Sequence, residues 1–327
     1  MLSTVTAPPQ LRAGPGPGDA GTAAAVIRTD ALTKRYAGDV TALAGLTVDI
    51  HPGITGLVGA NGAGKSTLIK ILLGLLPPTS GRAVVLGHDV SASGERIRTL
   101  TGYMPEHDCL PPDVTGTEFV THLGRMSGLP ATAAKERAAE SLRHVGLYEE
   151  RYRQVGTYST GMKQRVKLAQ AVVHDPELLF LDEPTNGLDP AGRDEMLELI
   201  ADLPDRRGLS VILSSHLLPD VEKVCDEVMV LAAGKLQYVG TIAALRGDAD
   251  ARYTVRVKDG IERLAEALRA AGLAADVKGE ELTLTLPGGD TDTVFAAAET
   301  TGVQIRHLAP LRRSLESAFL STLKGAA

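Results

Sequence analysis

The chain has 327 residues, which is enough for about two domains of ~150 residues each. Hydrophobic residues make up 43% and charged residues 23% of the sequence, proportions that are ordinary for a soluble globular protein. A net charge of -6 without a long basic block disfavours nucleic acid or an anionic membrane surface as the main partner. Cys109 and Cys225 belong to no zinc motif and indicate buried or semi-exposed thiols in a reducing cytosol.

The first 25 residues are rich in Pro, Gly and Ala and lack the basic start and apolar core of a signal peptide. This composition predicts a disordered tail over residues 1–25. No apolar run in the sequence reaches the ~18 residues that a membrane-spanning helix needs. If the protein works at a membrane, we expect another chain to supply the span.

Residues 26–240 alternate short apolar runs with helical patterns, which predicts an α/β domain. A strand at 54–58 leads into a glycine-rich loop, and a helix is predicted over 66–76, before two prolines. A helical subdomain is expected over about residues 107–170, because the helical spacing of 117–144 is interrupted only near 128–130. Further strands are predicted at 178–181, 211–214 and 228–232.

The pattern changes after residue 240, where a small α+β domain is predicted over residues 241–327. Strands and helices alternate there in an order that suits a ferredoxin-like arrangement. The predicted strands are 253–257, 281–286 and 303–308, and the predicted helices are 261–271, 291–300 and 314–322.

The clearest motif is Gly-Ala-Asn-Gly-Ala-Gly-Lys-Ser-Thr at residues 59–67, which fits the phosphate-loop pattern G-x-x-x-x-G-K-[ST]. Glycine allows backbone N–H groups to approach phosphate oxygens, and the following helix directs its positive end at them. Lys65 is expected to contact the β- and γ-phosphates, and Ser66 to ligate Mg²⁺. A chance match in a glycine-rich chain does not account for the predicted strand and helix on either side.

A second site follows the apolar run at 178–181, where Asp182 and Glu183 come at the carboxyl end of a buried strand. Asp182 suits the Mg²⁺ shell, and Glu183 suits a general base that orients or deprotonates the attacking water. Acids also end strands because the chain surfaces there. The position downstream of a phosphate loop favours the functional interpretation.

Over residues 26–240 the chain resembles the ATP-binding subunits of ABC transporters. The segment Tyr-Ser-Thr-Gly-Met-Lys-Gln-Arg at residues 158–165 is similar to the signature of that family, and Ser159 lies 94 residues after Lys65. Ser159 can cap a helix through 163–173, whose N-terminus offers N–H groups to an anion. The resemblance implies that Ser159 and Gly161 contact the γ-phosphate held by a second subunit, in a head-to-tail dimer with two ATP molecules.

Three smaller matches belong to the same resemblance. Tyr36 stands where the family stacks an aromatic ring on adenine, and Asp189 where an acid acts across the dimer. His216 stands where a switch histidine contacts the γ-phosphate. A lone tyrosine or histidine is more often structural, but His216 ends a predicted strand 33 residues after Glu183, which favours the functional interpretation.

Two positions depart from the family pattern. Thr160 stands where the family usually has glycine, and Glu106 stands where it usually has a glutamine that contacts Mg²⁺ and relays the nucleotide state to the membrane subunit. Glu106 is therefore expected to ligate the metal while adding a negative charge. The alternative is that Glu106 points to solvent, as acids in loops usually do.

Together these patterns predict an ATPase with a P-loop α/β core that binds ATP and Mg²⁺. The predicted catalytic residues are Lys65, Glu183 and His216, and the predicted metal ligands are Ser66, Glu106 and Asp182. The predicted nucleotide contacts are Tyr36, Gly59, Asn61, Gly62, Ala63, Gly64, Lys65, Ser66, Thr67, Ser159, Gly161 and Asp189.

The expected partners are a transmembrane permease subunit, at the cytoplasmic face of the cell membrane, and a second ATP-binding subunit of the same or another kind. Residues 310–320 resemble the ending of drug-resistance exporter subunits, which favours export. The main alternative is a soluble ABC-type ATPase acting on DNA or the ribosome. A DNA-repair ATPase of this type would need a long coiled coil between Lys65 and Ser159, and the 94 residues that separate them cannot hold one. A translation factor of this type usually carries two ATP-binding cassettes, and this chain carries one. A module that binds ATP without turnover conflicts with the intact catalytic residues.

Overall fold

The structure is a computed structural model that describes residues 24–38, 40–107, 109–246, 250–287, 290–310 and 315–316. The tail predicted to be disordered lies outside the described residues except for its last two positions. Most of the helix predicted at 314–322, and of the segment 310–320, also lies outside them. No helix in the described ranges combines the length and the apolar character that crossing a bilayer requires.

The part before residue 247 alternates strands and helices. Its strands are β1 (Ile27–Arg35), β2 (Thr41–Ile50), β3 (Ile54–Val58), β4 (Ser80–Val85), β5 (His88–Asp89), β6 (Thr101–Met104), β7 (Leu178–Asp182), β8 (Ser210–Ser215), β9 (Glu227–Ala232) and β10 (Lys235–Thr241). Its helices are α1 (Lys65–Leu72), α2 (Gly94–Leu100), α3 (Gly116–Met126), α4 (Ala131–His144), α5 (Thr160–Val172), α6 (Pro190–Arg207), α7 (Leu218–Val224) and α8 (Ile242–Arg246).

The central sheet has the strand order β10-β9-β3-β8-β7-β6, and all its strands except β10 are parallel. Every residue of β3, β7 and β8 is buried. Parallel strands covered on both faces are continuous apolar runs, as the sequence predicted for 178–181. The carboxyl ends of these strands meet at one edge of the sheet, and this edge positions the candidate site.

Alternate residues of a central strand serve two different cores, because successive side chains point to opposite faces of the sheet. Leu179 and Leu181 of β7 pack in the cluster that includes α5, α6 and α7. Leu178 and Phe180 of the same strand pack in the cluster that includes α1 and the antiparallel sheet β2-β1-β4-β5. The sequence analysis did not predict this antiparallel sheet.

The helix predicted over 66–76 ends earlier, at Leu72. Gly74 adopts a φ of +65°, in the left-handed region, and so ends the helix before the two prolines are reached. The sequence prediction of the helix end was therefore wrong by four residues. Cys225 is buried, but Cys109 is exposed rather than semi-exposed, and both are free thiols.

The helical subdomain contains α3, α4 and α5, with short 3-10 turns at Glu150–Tyr152 and Val155–Thr157. A capping box starts α3, because Thr115 accepts from the backbone of Glu118 and the Glu118 carboxylate accepts from the backbone of Thr115. Pro130 then precedes α4. The interruption that the sequence predicted near 128–130 is confirmed.

The C-terminal part contains β11 (Asp250–Val257), α9 (Ile261–Ala270), β12 (Ala275–Lys278), β13 (Glu281–Pro287), α10 (Asp292–Thr301) and β14 (Ile305–Pro310). The sheet order is β12-β13-β11-β14, and every pairing in it is antiparallel. This order is the ferredoxin-like arrangement that the sequence suggested. A separate apolar cluster lies between the sheet and the helices, with Val255, Leu264, Leu268 and Val294 fully buried.

One contact returns from the far C-terminal end to the first part of the chain. Leu315 is fully buried in the cluster that contains α5, α6 and α7. Its backbone N–H donates to the carboxylate of Glu222 on α7, and the same carboxylate pairs with Arg246 at 2.9 Å. Residues beyond 240 therefore contribute to the packing of the preceding α/β part.

Candidate active site

The phosphate-loop residues 59–64 connect β3 to α1, in the strand–loop–helix context that the motif requires. A Cβ on Gly64 would lie 2.4 Å from the carbonyl oxygen of Ala42, and a Cβ on Gly59 would lie 2.5 Å from that of Leu231. Gly64 also has a φ of +108°. These two glycines are thus needed for the loop to pack against its neighbours. This requirement adds to the approach of backbone N–H groups to phosphate, which was the reason predicted from the sequence.

A cavity of about 540 Å³ lies at this loop and brings most of the predicted site together. It is lined by the whole segment 60–67 and by Glu106, Asp182, Glu183 and His216. The Nζ atom of Lys65 donates to the carbonyl oxygen of Gly59 at 2.7 Å, inside the loop. The cavity has the backbone N–H groups, the helix N-terminus and the cation that a polyphosphate needs.

Two of the residues predicted to hold a metal are in contact, and the third lines the same cavity. The hydroxyl oxygen Oγ of Ser66 lies 3.2 Å from Oδ2 of Asp182, and Glu106 lines the same cavity. Hydroxyl and carboxylate oxygens are ligands that suit Mg²⁺, which usually takes one or two carboxylates together with substrate phosphates. No group of three or more His, Cys, Asp or Glu residues is arranged for a metal within the described residues. The Ser66 hydroxyl and the Asp182 carboxylate are oxygen donors of the kind that Mg²⁺ takes beside nucleotide phosphates.

Glu183 is held in an unusual backbone conformation at the end of β7. Its φ is +51°, which is costly for a residue with a Cβ and requires support from the surroundings. Its backbone N–H donates to the carbonyl of Ser214 at 2.9 Å. Its Oε2 lies 2.8 Å from Nδ1 of His216, and the carboxylate is buried. Burial raises the pKa of Glu183 above its ordinary 4.5, against the opposing effect of the hydrogen bond with His216. A buried carboxylate with a raised pKa beside a phosphate loop suits a general base.

Glu106 lines the cavity and is half-buried. This position favours a side chain that faces the cavity over one that points to solvent. Its loop is held by α5, because Nζ of Lys167 donates to the carbonyl oxygens of Pro105 and Glu106, each at 3.0 Å. Gln170, also on α5, donates to the carbonyl of Tyr103 at 2.8 Å. Lys167 was not among the predicted residues, although it is a single charge inside the apolar turn 166–169, and that pattern was visible in the sequence.

Tyr36 lies at the edge of the phosphate loop and is 42% exposed. Its hydroxyl oxygen is 3.4 Å from Oγ1 of Thr67, and Nζ of Lys34 lies 5.5 Å from the centre of its ring. The ring does not line the cavity itself, but enough of it is open to offer a stacking surface beside Thr67.

Ser159, Gly161 and Asp189 do not line the cavity in a single chain. Ser159 caps α5 by accepting from the backbone N–H of Met162 at 3.3 Å, as predicted. Asp189 caps α6 in the same way, by accepting from Gly192 at 2.9 Å. These three residues remain predictions that depend on a second subunit.

The departure at Thr160 has a specific neighbour in the structure. Cγ2 of Thr160 lies 3.2 Å from where a Cβ on Gly187 would stand, and Gly187 has a φ of +76°. Thr160 therefore packs closely against the loop that ends at Asp189. Asn186, in this loop, also lines the cavity and was not predicted. Its carbonyl accepts from Gln164 of α5 at 2.9 Å.

A strand, a phosphate loop and a helix, with an Asp-Glu pair at the end of a parallel strand in the same sheet, define a P-loop ATPase. The family model described as "ABC transporter" matches residues 43–186. The linearmycin resistance ATP-binding protein of Bacillus subtilis is 36% identical over 267 residues, which cover 80% of this chain and 84% of that protein. The daunorubicin/doxorubicin resistance ATP-binding protein of Streptomyces peucetius is 33% identical over 303 residues, which cover 90% and 91%.

Among solved structures, a dimeric ATP-binding cassette in a post-hydrolysis state with ADP and Pi matches with a TM-score of 0.60 and 21% identity. The match covers 66% of this chain and 98% of that one, and it shows a shared fold. The chain belongs to the family of ABC transporter ATP-binding proteins, and it is an ATPase.

Proposed function

We propose that the chain hydrolyses ATP with Mg²⁺ in the 540 Å³ cavity and powers export through a separate membrane subunit. The observation that carries the proposal is the convergence of Lys65, Asp182, Glu183 and His216 on one cavity beside the phosphate loop. Asp182 ends β7, Glu183 and His216 directly follow β7 and β8, and Lys65 follows β3 through the phosphate loop. These three parallel strands are neighbours in the sheet, and their carboxyl ends meet there.

Each of these side chains has a distinct task in hydrolysis. The phosphate loop and Lys65 bind the phosphates, and Ser66, Asp182 and Glu106 would hold Mg²⁺, which offsets the charge that develops on the phosphate oxygens. Glu183 accepts a proton from the attacking water. The oxygen of that water bonds to the γ-phosphorus, and the bond between the γ-phosphorus and the oxygen that stays with ADP breaks. His216 holds the Glu183 carboxylate at 2.8 Å.

A second ATP-binding subunit completes the site in this proposal. Ser159 and Thr160 are exposed at the start of α5, where the unpaired N–H groups of a helix N-terminus favour an anion. They lie away from the cavity of their own chain, so they are available to the nucleotide of a partner. The solved relative with ADP and Pi is a dimer, which supports this arrangement.

A membrane subunit requires a docking surface, and exposed apolar side chains near the site suit this role. Leu75 is 55% exposed and Met126 is 71% exposed, and they line one cavity of about 450 Å³ together with Tyr103. Tyr103 belongs to β6, which leads directly to Glu106. A partner seated there at the cytoplasmic face of the membrane would lie close to the loop that senses the nucleotide. Both relatives named above are drug-resistance proteins, which favours export.

The proposal is tested by co-expressing the chain with a candidate membrane subunit, sought first in the reading frames that adjoin its own. We expect the chain to sediment with membranes, and Leu75→Asp and Met126→Asp to release it, while Val239→Asp, at an exposed apolar position on β10, does not. ATP-dependent uptake of hydrophobic drugs into inside-out vesicles would identify export. A chain that stays off the membrane and sediments with ribosomes or DNA would instead support the soluble alternative.

A further inference from the structure

A buried acid outside the cavity joins three segments of the candidate site. Asp220 lies on α7 and is 2% exposed, and Thr185 is 1% exposed. Oγ1 of Thr185 donates to Oδ2 of Asp220 at 2.5 Å. Nε of Arg193 lies 3.8 Å from Oδ1 of the same carboxylate. A carboxylate is costly to bury unless it is paired and hydrogen-bonded, and Thr185 and Arg193 are the partners that Asp220 has here.

The three segments are those that carry the proposed reacting and sensing groups. Thr185 comes two residues after Glu183 in the loop that follows β7. Asp220 comes four residues after His216, in the helix that begins at Leu218. The Thr185–Asp220 hydrogen bond therefore crosses from one of these segments to the other.

Arg193 connects the third segment. Its backbone N–H donates to the carbonyl of Asp189 at 2.9 Å, and Asp189 is the N-cap of α6. The start of α6 thus lies within ion-pair distance of the Asp220 carboxylate on α7, although Nε of Arg193 makes no hydrogen bond to it. No other carboxylate lies within ion-pair distance of Arg193 among the contacts of the described residues.

The backbone of Glu183 gives this link a mechanical reason. A φ of +51° persists only where the surrounding structure over-determines it. The hydrogen bond from its N–H to Ser214 constrains one side of the residue, and the Thr185–Asp220 bond constrains the chain that leaves it. A shift of about 1 Å in a reacting group can reduce turnover by ~10²-fold.

We propose that Asp220 is a positioning residue for ATP hydrolysis, which holds the segment that carries Glu183 in fixed register with the segment that carries His216. The inference rests on the proposed role of Glu183 as general base. Asp220 lies outside the residues that line the cavity, so its proposed action passes through Thr185.

Thr185→Val tests the link, because it removes the hydroxyl and keeps the shape of the side chain. We expect kcat to fall by about 10- to 100-fold with KM for ATP changed by less than about threefold, since the phosphate loop is untouched. Thr185→Ser restores the hydroxyl and should recover most of kcat. Thr101→Val is the matched control, because Oγ1 of Thr101 is also buried and donates at 2.9 Å, to the carbonyl of Ile97.

A double-mutant comparison separates this inference from the proposed function. If the link acts through Glu183, adding Thr185→Val to Glu183→Gln should reduce the residual turnover by less than about threefold. An additive loss, or a wild-type kcat in Thr185→Val, overturns the role of Asp220. Near-normal turnover in Glu183→Gln alone contradicts instead the general base, whatever the Thr185 variants do.

Stability is measured on the same proteins, because a buried hydroxyl also supports folding. If Thr185→Val does not fold, Asp220→Asn provides the test, since it keeps an acceptor for Thr185 and loses the charge that faces Arg193. The expected result is an intermediate fall in kcat, about 3- to 10-fold, with ATP affinity retained in a fluorescent-nucleotide assay. An unchanged kcat in the folded Asp220→Asn protein, together with unfolded Thr185→Val, assigns Asp220 a purely structural role and overturns the proposal.

Discussion

The buried ammonium group of Lys167 lies 3.0 Å from the backbone carbonyl oxygen of Glu106 and joins α5 to the loop at the nucleotide cavity. Because α5 begins at the cap residue Ser159, the helix that would meet a partner's nucleotide also holds the loop that carries Glu106. A rigid displacement of α5 would move the capped start of the helix together with the loop that carries Glu106. This contact links the helix that Ser159 caps to the loop that lines the cavity.

The side chain of Glu106 is expected to affect the metal requirement of the ATPase. Glu106→Gln removes one negative charge from the metal side, which weakens attraction for Mg²⁺ and also reduces repulsion of the triphosphate. We expect turnover to persist while the Mg²⁺ concentration for half-maximal rate rises up to about tenfold, which corresponds to ~1.4 kcal/mol. Glu106→Ala should raise it further. Magnesium titrations of the ATPase rate test this, and three superimposable curves would show that Glu106 is not a metal-site residue.

Replacement of Glu183 by glutamine should separate ATP binding from hydrolysis. Glu183→Gln keeps the shape of the side chain and removes the base, so we expect turnover to fall ~10²–10⁴-fold. ATP should still bind, because Lys65 and the phosphate loop are unchanged, and the ATP-bound dimer should accumulate in light scattering. Glu177→Gln, at an exposed acid just before β7, is the control with wild-type turnover. Near-normal hydrolysis by Glu183→Gln would contradict the assignment.

The pKa of Glu183 should depend on His216 in a defined direction. Burial raises this pKa and the hydrogen bond with His216 lowers it, so His216→Ala should raise it further above the ordinary 4.5. A higher pKa leaves less carboxylate at any given pH, and the midpoint of ionisation therefore moves to higher pH in the variant. Carbon-13 NMR of the glutamate carboxyl groups measures this in the free protein, with Glu183→Gln to identify the signal.

Glu118 provides an internal reference for the same titration. Its pKa is lowered by hydrogen bonds with Thr115, far from His216 in the sequence, and should not respond to His216→Ala. An equal or lower midpoint for Glu183 in the variant would show that the Glu183–His216 contact does not stabilise the carboxylate.

Leu315 should contribute to stability without contributing to catalysis. It is fully buried in the cluster that contains α5, α6 and α7, so Leu315→Ala is expected to lower the free energy of unfolding by ~2–5 kcal/mol. Phe295→Ala, at a side chain that is 53% exposed on α10, should change it by less than about 0.5 kcal/mol. Urea denaturation measures both, and calorimetry measures ATP binding. Loss of binding by folded Leu315→Ala would mean that the C-terminal residues complete the site.

Features that depend only on neighbouring residues could be predicted from the sequence. The strand, glycine-rich loop and helix around Lys65 are continuous in sequence, so their spacing was enough to predict the phosphate site and its elements. The same holds for the apolar run before Asp182 and for the cap of α5 at Ser159. Each of these depends on neighbours within a few residues, and the pattern carries that information.

Other contacts between distant segments became known only from the fold. Ser66 and Asp182 were expected to share a metal and do meet, across 116 positions, but Lys167 meets Glu106 across 61 and Thr185 meets Asp220 across 35 without any such expectation. Whether a lysine is buried against two carbonyls depends on which segments pack together, and composition and periodicity do not encode that packing. The left-handed backbone of Glu183 has the same origin, because a strained conformation is held by long-range contacts and not by the preference of the residue itself.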